Sequence, residues 1–303
     1  MDGVDEIGAM PVQDVDQILA VQVGVVTRGG EIHIRGGRSG EVSYIVDGVE
    51  TRDPLGGLGA TDVGVNLQSN SLQEVQIIKG GFDAEYGGVM SGVVNVVTRE
   101  GDMQLTKGRI EYWTDNFRVD ELNDYSRNYD QISFNIGGPE PILSQHLLPA
   151  LGIDYFREKL AYFINLDVQK TDGVISYNDY APALHQRSYK SHDFLGLTIN
   201  DRQYNYYQLQ TKLTFNPGGG IKLTLNYSGT WDVFNPFDNY SWDYRYTPAT
   251  AHYVEETSHL FSVTFNHQLN QSTFYEVVLS RYSKEYFQAP DDPLNPVSYT
   301  HLT

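Results

Sequence analysis

The feature that most constrains this chain is a strict alternation of apolar and polar residues over long stretches after about Arg109. In "LQTKLTFN", Leu209, Thr211, Leu213 and Phe215 share one face, while Gln210, Lys212 and Thr214 share the other. After the turn "NPGGG", Ile221, Leu223, Leu225 and Tyr227 oppose Lys222, Thr224, Asn226 and Ser228, which makes a hairpin apolar on one side only. The same period runs through Ile132/Phe134/Ile136, Leu160/Tyr162/Ile164/Leu166/Val168, Phe261/Val263/Phe265 and Tyr275/Val277/Leu279. A period of two places side chains on opposite faces of a strand, and no amphipathic helix shares it. The connections alternate between very short and long, the long ones including Thr171 to Tyr204 and Phe234 to Ser258.

A soluble β-sandwich also alternates. Here, however, the second face is rich in Asn, Gln, Thr and Lys, and the strands end in Tyr, Trp and Phe, as an aromatic girdle requires. Dyad strands of roughly ten residues with short turns at one end and long polar loops at the other are the signature of an outer-membrane barrel. Composition agrees: a mean hydropathy of -0.40 and 22 Tyr against 4 Met do not describe a Leu-rich globular core. No stretch approaches the roughly 18 consecutive apolar residues of a membrane-spanning helix. With 39 acidic against 21 basic residues and a formal charge of -18, the chain repels a phosphate backbone, so nucleic acid is not an expected partner. The absence of Cys excludes disulfides and thiolate metal sites within this sequence.

Residues 1–108 follow a different pattern, rich in Gly and short in aromatics. Val12, Val15, Ile18, Leu19 and Val23 recur at helical spacing behind Pro11, and Gly24 supplies a stop, which predicts one amphipathic helix. Short strands are expected in "EIHIRGG", "EVSYIVDGV", "SLQEVQIIKGG" and "SGVVNVVTREG", punctuated by glycines and by a loop through "RDPLGGLG". Together these make a small α/β unit. Its glycines do not form a nucleotide site: Gly57-Leu58-Gly59 is followed by Asp62 where a dinucleotide fingerprint needs its third Gly, and no P-loop is present. Gly37-Arg38-Ser39-Gly40-Glu41 fails the nucleophile elbow in its last position, and the 8 His are scattered without i, i+4 pairing. The acidic cluster "FDNYSWDYRY" reads as a solvated loop rather than a Ca²⁺ site. No enzyme activity, cofactor or metal is expected.

The phrase "SLQEVQIIKGGFDAEYGGVMSGVVNVVTREG", preceded by "IHIRGGRSGEVSYIVDGV", resembles the plug domain of TonB-dependent outer-membrane receptors. The shared phrases are an I-R-G strand, a Y-x-x-D-G strand, a V-x-V-x-K-G turn running through A-x-Y-G, and a final G-V-x-N-V-x-T strand, over about residues 11 to 100. Gly81 departs from a frequent Pro of the family, and Gln73 from a frequent Glu. "GGFDAEYGG" and "GEVSYIVDGV" look more like receptors carrying an N-terminal carboxypeptidase-regulatory-like domain than like siderophore receptors.

The resemblance implies a small α/β plug domain (1–108) followed by an incomplete transmembrane antiparallel β-barrel (109–296), with about seven of roughly 22 strands present. It implies an outer-membrane transporter of a Gram-negative-type bacterium. Its partners are TonB, engaged through a TonB box that is not recognisable before Pro11 and is expected upstream of this fragment, outer-membrane lipid, and a small external ligand: siderophore, cobalamin, glycan or peptide. By position Arg35 and Lys79 match the family's plug cations, which pair with carboxylates of the barrel wall. Glycines 36, 48, 80, 87 and 92 (Gly36, Gly48, Gly80, Gly87, Gly92) serve sharp turns and clearance from the wall rather than phosphate. Ligand contacts are expected at Asp53, Leu58 and Asn66 of the plug loop and at Tyr240, Trp242, Tyr244 and Tyr246 of a barrel loop. Residues 297–303 ("VSYTHLT") read as a translated sequencing-adapter tail. The rival readings are a passive porin or adhesin-type barrel without energy coupling, and a periplasmic hydrolase, for which no triad is present.

Overall fold

The computed structural model describes residues 2–3, 15–28, 31–38, 41–51, 67–80, 91–117, 119, 126–171, 191–194, 197–200, 204–234 and 252–290. Two sheets of different character dominate it.

The first is mixed and five-stranded, in the order β1-β6-β7-β4-β5. Chain order begins with β1 (Asp2–Gly3), helix α1 (Val15–Ala20), β2 (Val25–Arg28), β3 (Glu31–Ile34), β4 (Val42–Val46), β5 (Val49–Glu50), β6 (Leu72–Ile78) and β7 (Gly92–Thr98). α1 buries Val15, Ile18 and Leu19, which its 3.6-residue period stacks on one stripe. The helix ends three residues short of the predicted Val23, which is 87% exposed. Gly24 turns the chain with φ 82, and the β-branched Val25-Val26 then pairs with β3, a hairpin the sequence reading lacked. β7 lies between β4, to which it is parallel, and the antiparallel β6; Val93, Val94 and Val96, which divide between its two faces, are all fully buried.

The second sheet is a seven-stranded antiparallel meander, β16-β15-β14-β13-β10-β9-β8. Its strands are β8 (Lys107–Thr114), β9 (Asp130–Pro139), β10 (Leu160–Thr171), β13 (Tyr204–Gly218), β14 (Ile221–Phe234), β15 (His252–Asn270) and β16 (Thr273–Pro290). A small hairpin, β11 (Ser191–Phe194) with β12 (Leu197–Asn200), lies between β10 and β13 in sequence. The register sets Leu209 opposite Leu166 and Gly229, and Leu213 opposite Tyr162 and Leu225, as the alternation predicts for one continuous face.

The two faces are inverted relative to a soluble sheet. Gln131, Ser133, Asn165, Gln208, Gln210, Asn226 and Ser228 are buried, whereas Ile132, Phe134, Leu166, Phe261, Val277 and Leu279 are exposed. A sandwich buries its apolar residues, and this sheet turns them outward, as a membrane barrel does. The first sheet lies against the polar face, and α1 shares its apolar cluster. Leu260 of β15 enters their apolar cluster, with Val278 and Tyr282 of β16 packed beside it.

Connections at one end of the meander are short, through Gly219-Gly220 and through 271–272. An exception to the predicted alternation is the connection 140–159 at that same end, which carries helical turns over Leu143–Leu147 and Leu148–Ala150. Gly101, in the segment joining the two sheets, touches the wall closely. A Cβ there would stand 2.1 Å from the Tyr162 carbonyl oxygen of β10, so the crossing accepts no side chain.

Candidate plug–lumen junction

Glycine and aspartate at the end of β4 build the first part of the site. Asp47 (φ 48) and Gly48 (φ 80) form the tight turn into β5, a conformation that Asp tolerates and Gly prefers. This turn throws the Asp47 carboxylate toward the end of β7. There Oδ1 accepts the Thr98 N–H at 3.0 Å and Oδ2 the Thr98 hydroxyl at 2.5 Å. The Y-x-x-D-G and N-V-x-T phrases are thus held together by side chain as well as by sheet.

Lys212 of β13 reaches this pair from the wall. Its Nζ lies 3.1 Å from Asp47 Oδ1 and donates to the Thr98 carbonyl at 3.0 Å, with only 2% of the Lys side chain and 11% of the Asp side chain exposed. Nearer the short turns, Lys222 of β14 pairs with Glu100 at 2.7 Å, with 40% of the Lys and 27% of the Glu side chain exposed. Asn70 hydrogen-bonds Ser133 of β9. Toward the long-loop end, Tyr206 Oη donates to Asp167 Oδ1 at 2.6 Å, and Gln131 Nε2 donates to the same oxygen at 2.9 Å. Between these tiers, both amide atoms of Asn165, Gln208, Gln210 and Asn226 are buried without a partner among the described residues. A wall with that many spare amides can solvate a polar solute, whereas a dry core cannot afford them.

The described plug–wall ion pairs therefore have plug carboxylates facing wall lysines. The two cations named from sequence stand elsewhere. Lys79 donates to the Val23 carbonyl, Arg35 (φ 50) takes its N–H to the Gly24 carbonyl at 2.9 Å, and the Arg35 guanidinium lies beside Gly80. Both thus share one exposed corner, and their described contacts stay within the first unit. Gly36, Gly48 and Gly80 have positive φ, and a Cβ at Gly92 would meet Ile34 at 2.6 Å. Gly87, Asp53, Leu58, Asn66, Tyr240, Trp242, Tyr244 and Tyr246 lie outside the described residues, as do residues 297–303. The residues that sequence reasoning missed, Lys212 and Lys222, did carry a signal. Each is a cation on the polar face of a dyad strand, and a cation buried there requires a counter-charge from whatever fills the interior.

At the plug surface, the Glu41 carboxylate accepts from the Ser91 hydroxyl at 2.7 Å and the Arg38 N–H at 3.1 Å, and these bonds hold it below the usual Glu range. Among the described residues no group of His and carboxylates is arranged to hold a metal.

Comparison with known proteins places this geometry. Residues 3–94 match the family model of the TonB-dependent receptor plug domain. Over 83 residues the chain is 36% identical to the TonB-dependent transporter Oar of Myxococcus xanthus, a match covering 27% of this chain and 7% of that protein. Among solved structures it is similar to the ferric enterobactin receptor of Pseudomonas aeruginosa (TM-score 0.64, 17% identity, 98% of this chain and 44% of that one). It is also similar to the siderophore receptor PirA of Acinetobacter baumannii (TM-score 0.62, 14% identity, 95% and 40%) and to the alcaligin receptor FauA of Bordetella pertussis (TM-score 0.61, 13% identity, 93% and 38%). At these identities the structural likeness concerns the fold, and the chain spans less than half the length of each of these receptors.

Proposed function

We propose, from the premise that this chain is a TonB-dependent receptor plug joined to strands of its barrel, that it serves energised uptake of a scarce external ligand across the outer membrane. The ligand binds at the plug apex and the long loops, where Asp53, Leu58, Asn66, Tyr240, Trp242, Tyr244 and Tyr246 are the candidate contacts. TonB, acting on a segment N-terminal to the plug, then displaces the plug from the wall. Arg35 and Lys79, on one exposed corner of the plug, are candidates for contacts to wall carboxylates outside the described strands.

The observation that carries this reading is the Lys212–Asp47–Thr98 junction. It fixes the plug by a few polar bonds against a wall of unpartnered amides, so displacement breaks discrete contacts and leaves surfaces that water can cover. A passive pore has no use for a plug whose apolar cluster includes wall residue Leu260. The test is made in the source bacterium. A strain lacking the receptor is screened for lost growth on limiting iron chelates, cobalamin, glycans and peptides. Uptake of the nutrient so found is then measured with and without TonB and an uncoupler. Uptake that persists without TonB and in the presence of uncoupler refutes energised transport.

A further inference from the structure

The connection 140–159 is out of place among the short turns at its end of the barrel, and its chemistry is unusual. Ile142, Leu147 and Leu151 are 71, 53 and 70% exposed, and Leu143 is exposed beside them. Leu143, Leu147 and Leu151 recur every four residues along the helical turns, so they form one stripe. The polar groups of the segment turn back upon it. The Glu140 carboxylate accepts the Ile142 and Ser144 N–H groups at 2.9 and 2.6 Å, and the Ser144 hydroxyl donates to the Glu140 carbonyl at 2.7 Å. The His146 ring bonds the Pro141 carbonyl at 2.7 Å.

The far half of the segment shows which surface it belongs to. Phe156 and Tyr155 set their rings 5.3 and 6.4 Å from the ring of Phe215. Phe215 lies on the outward face of β13, in register with Leu160, and Leu160 is buried although it too points outward. This half of the segment therefore folds onto the outside of the barrel, not under its lumen, on the same face that exposes Leu166, Ile132 and Phe134 further along the strands. Lys159 stands 3.9 Å over the Tyr155 ring, and Arg157 is exposed next to it, which places cations beside the aromatic rings at the rim.

We infer that 140–159 is an interfacial element that lies in the membrane surface at the short-turn end of the barrel, with Ile142, Leu143, Leu147 and Leu151 in the acyl region and Arg157 and Lys159 among the phospholipid headgroups. Its occupant is lipid because the segment that carries the stripe packs Tyr155 and Phe156 on the outward face of β13, where the barrel reading places acyl chains. In outer-membrane barrels the short-turn end is periplasmic, so the leaflet is the inner one. The inference rests on the barrel reading above.

The test uses the complete receptor reconstituted in phosphatidylethanolamine–phosphatidylglycerol vesicles, with nitroxide labels at Leu147→Cys and, independently, at Ile142→Cys and Leu151→Cys. This chain contributes no native Cys. Collision with oxygen, which partitions into lipid, is compared with collision with a water-soluble nickel chelate. Controls are Leu166→Cys in the outward band and Gln104→Cys on the exposed joining segment. The expected oxygen-to-nickel ratio is within about twofold of the Leu166 value and about tenfold above that of Gln104. Ratios like that of Gln104 overturn the inference while leaving the barrel intact. Labels shielded from both reagents overturn it in favour of a protein contact. Nickel access at Leu166 itself defeats the barrel reading and this inference together.

Discussion

Replacing Lys212 by Met keeps most of the side-chain volume and removes the charge that ties plug to wall. Two unit charges 3.1 Å apart attract by about 5 kcal/mol at an effective dielectric constant of about 20, and desolvation of a side chain only 2% exposed offsets part of that. The variant also loses the bond to the Thr98 carbonyl, 3.0 Å away. Asp47 retains the Thr98 N–H and hydroxyl but faces no cation, so we expect a loss near the lower end of the ~3–5 kcal/mol typical of broken buried pairs. About 3 kcal/mol corresponds to more than a hundredfold change in a local opening equilibrium. Hydrogen exchange of the receptor in phospholipid vesicles, followed in peptides covering Val42–Val46 and Gly92–Thr98, should accelerate by that order in Lys212→Met. Gln210→Met, on the same face but with both amide atoms unpartnered, should change it little. If both variants exchange at the wild-type rate, the junction does not hold the plug. The double variant Asp47→Asn with Lys212→Met should exchange no faster than Lys212→Met alone, because the two single changes break one pair.

Two further outcomes follow from the inverted faces and the rim. Leu166→Arg, at the middle of the outward band of β10, should destabilise the barrel by about 2–4 kcal/mol in urea titrations of the vesicle-bound receptor, while Gln208→Leu on the interior face should have a much smaller effect. Burial pushes the Glu140 carboxyl up, but the N–H groups of Ser144, Leu143 and Ile142 together outweigh it and leave the group below its ordinary value of 4.5. A depressed carboxyl contributes stability above the unfolded value and loses it as pH falls through the folded one. Protection of the 142–150 amides, taken as the intrinsic exchange rate at each pH divided by the observed rate, should therefore be constant above about pH 4.5, fall below it, and lose that dependence in Glu140→Gln; a flat wild-type protection profile would contradict the capping role.

Much of the fold was readable because strand alternation and glycine punctuation are local. The period of two in "LQTKLTFN" fixed which residues share a face, and the burial of Gln208, Gln210, Lys212 and Thr214 agrees with it residue by residue. Composition could add that the second face was too polar for a core. Gly48 of the Y-x-x-D-G phrase is marked for a sharp turn by sequence alone, since glycine adopts a positive φ without steric cost.

What tertiary structure decided is where each face looks and what meets across space. Alternation is the same for a sandwich and a barrel; the exposure of Leu166 and the burial of Asn165 beside it show that here the apolar face looks outward and the polar face inward. Lys212 and Asp47 are 165 residues apart, and no local rule can pair them, because the pairing depends on the register of β13 and the seating of the plug together. The clearance at Gly101 arises in the same way, from the approach of a distant backbone at Tyr162. The packing of Phe156, in the 140–159 connection, against Phe215 of β13 is likewise a contact that no local rule predicts. Sequence settled what depends on neighbours along the chain. Register and seating settled the rest, because charge pairing and lipid contact depend on distance in space.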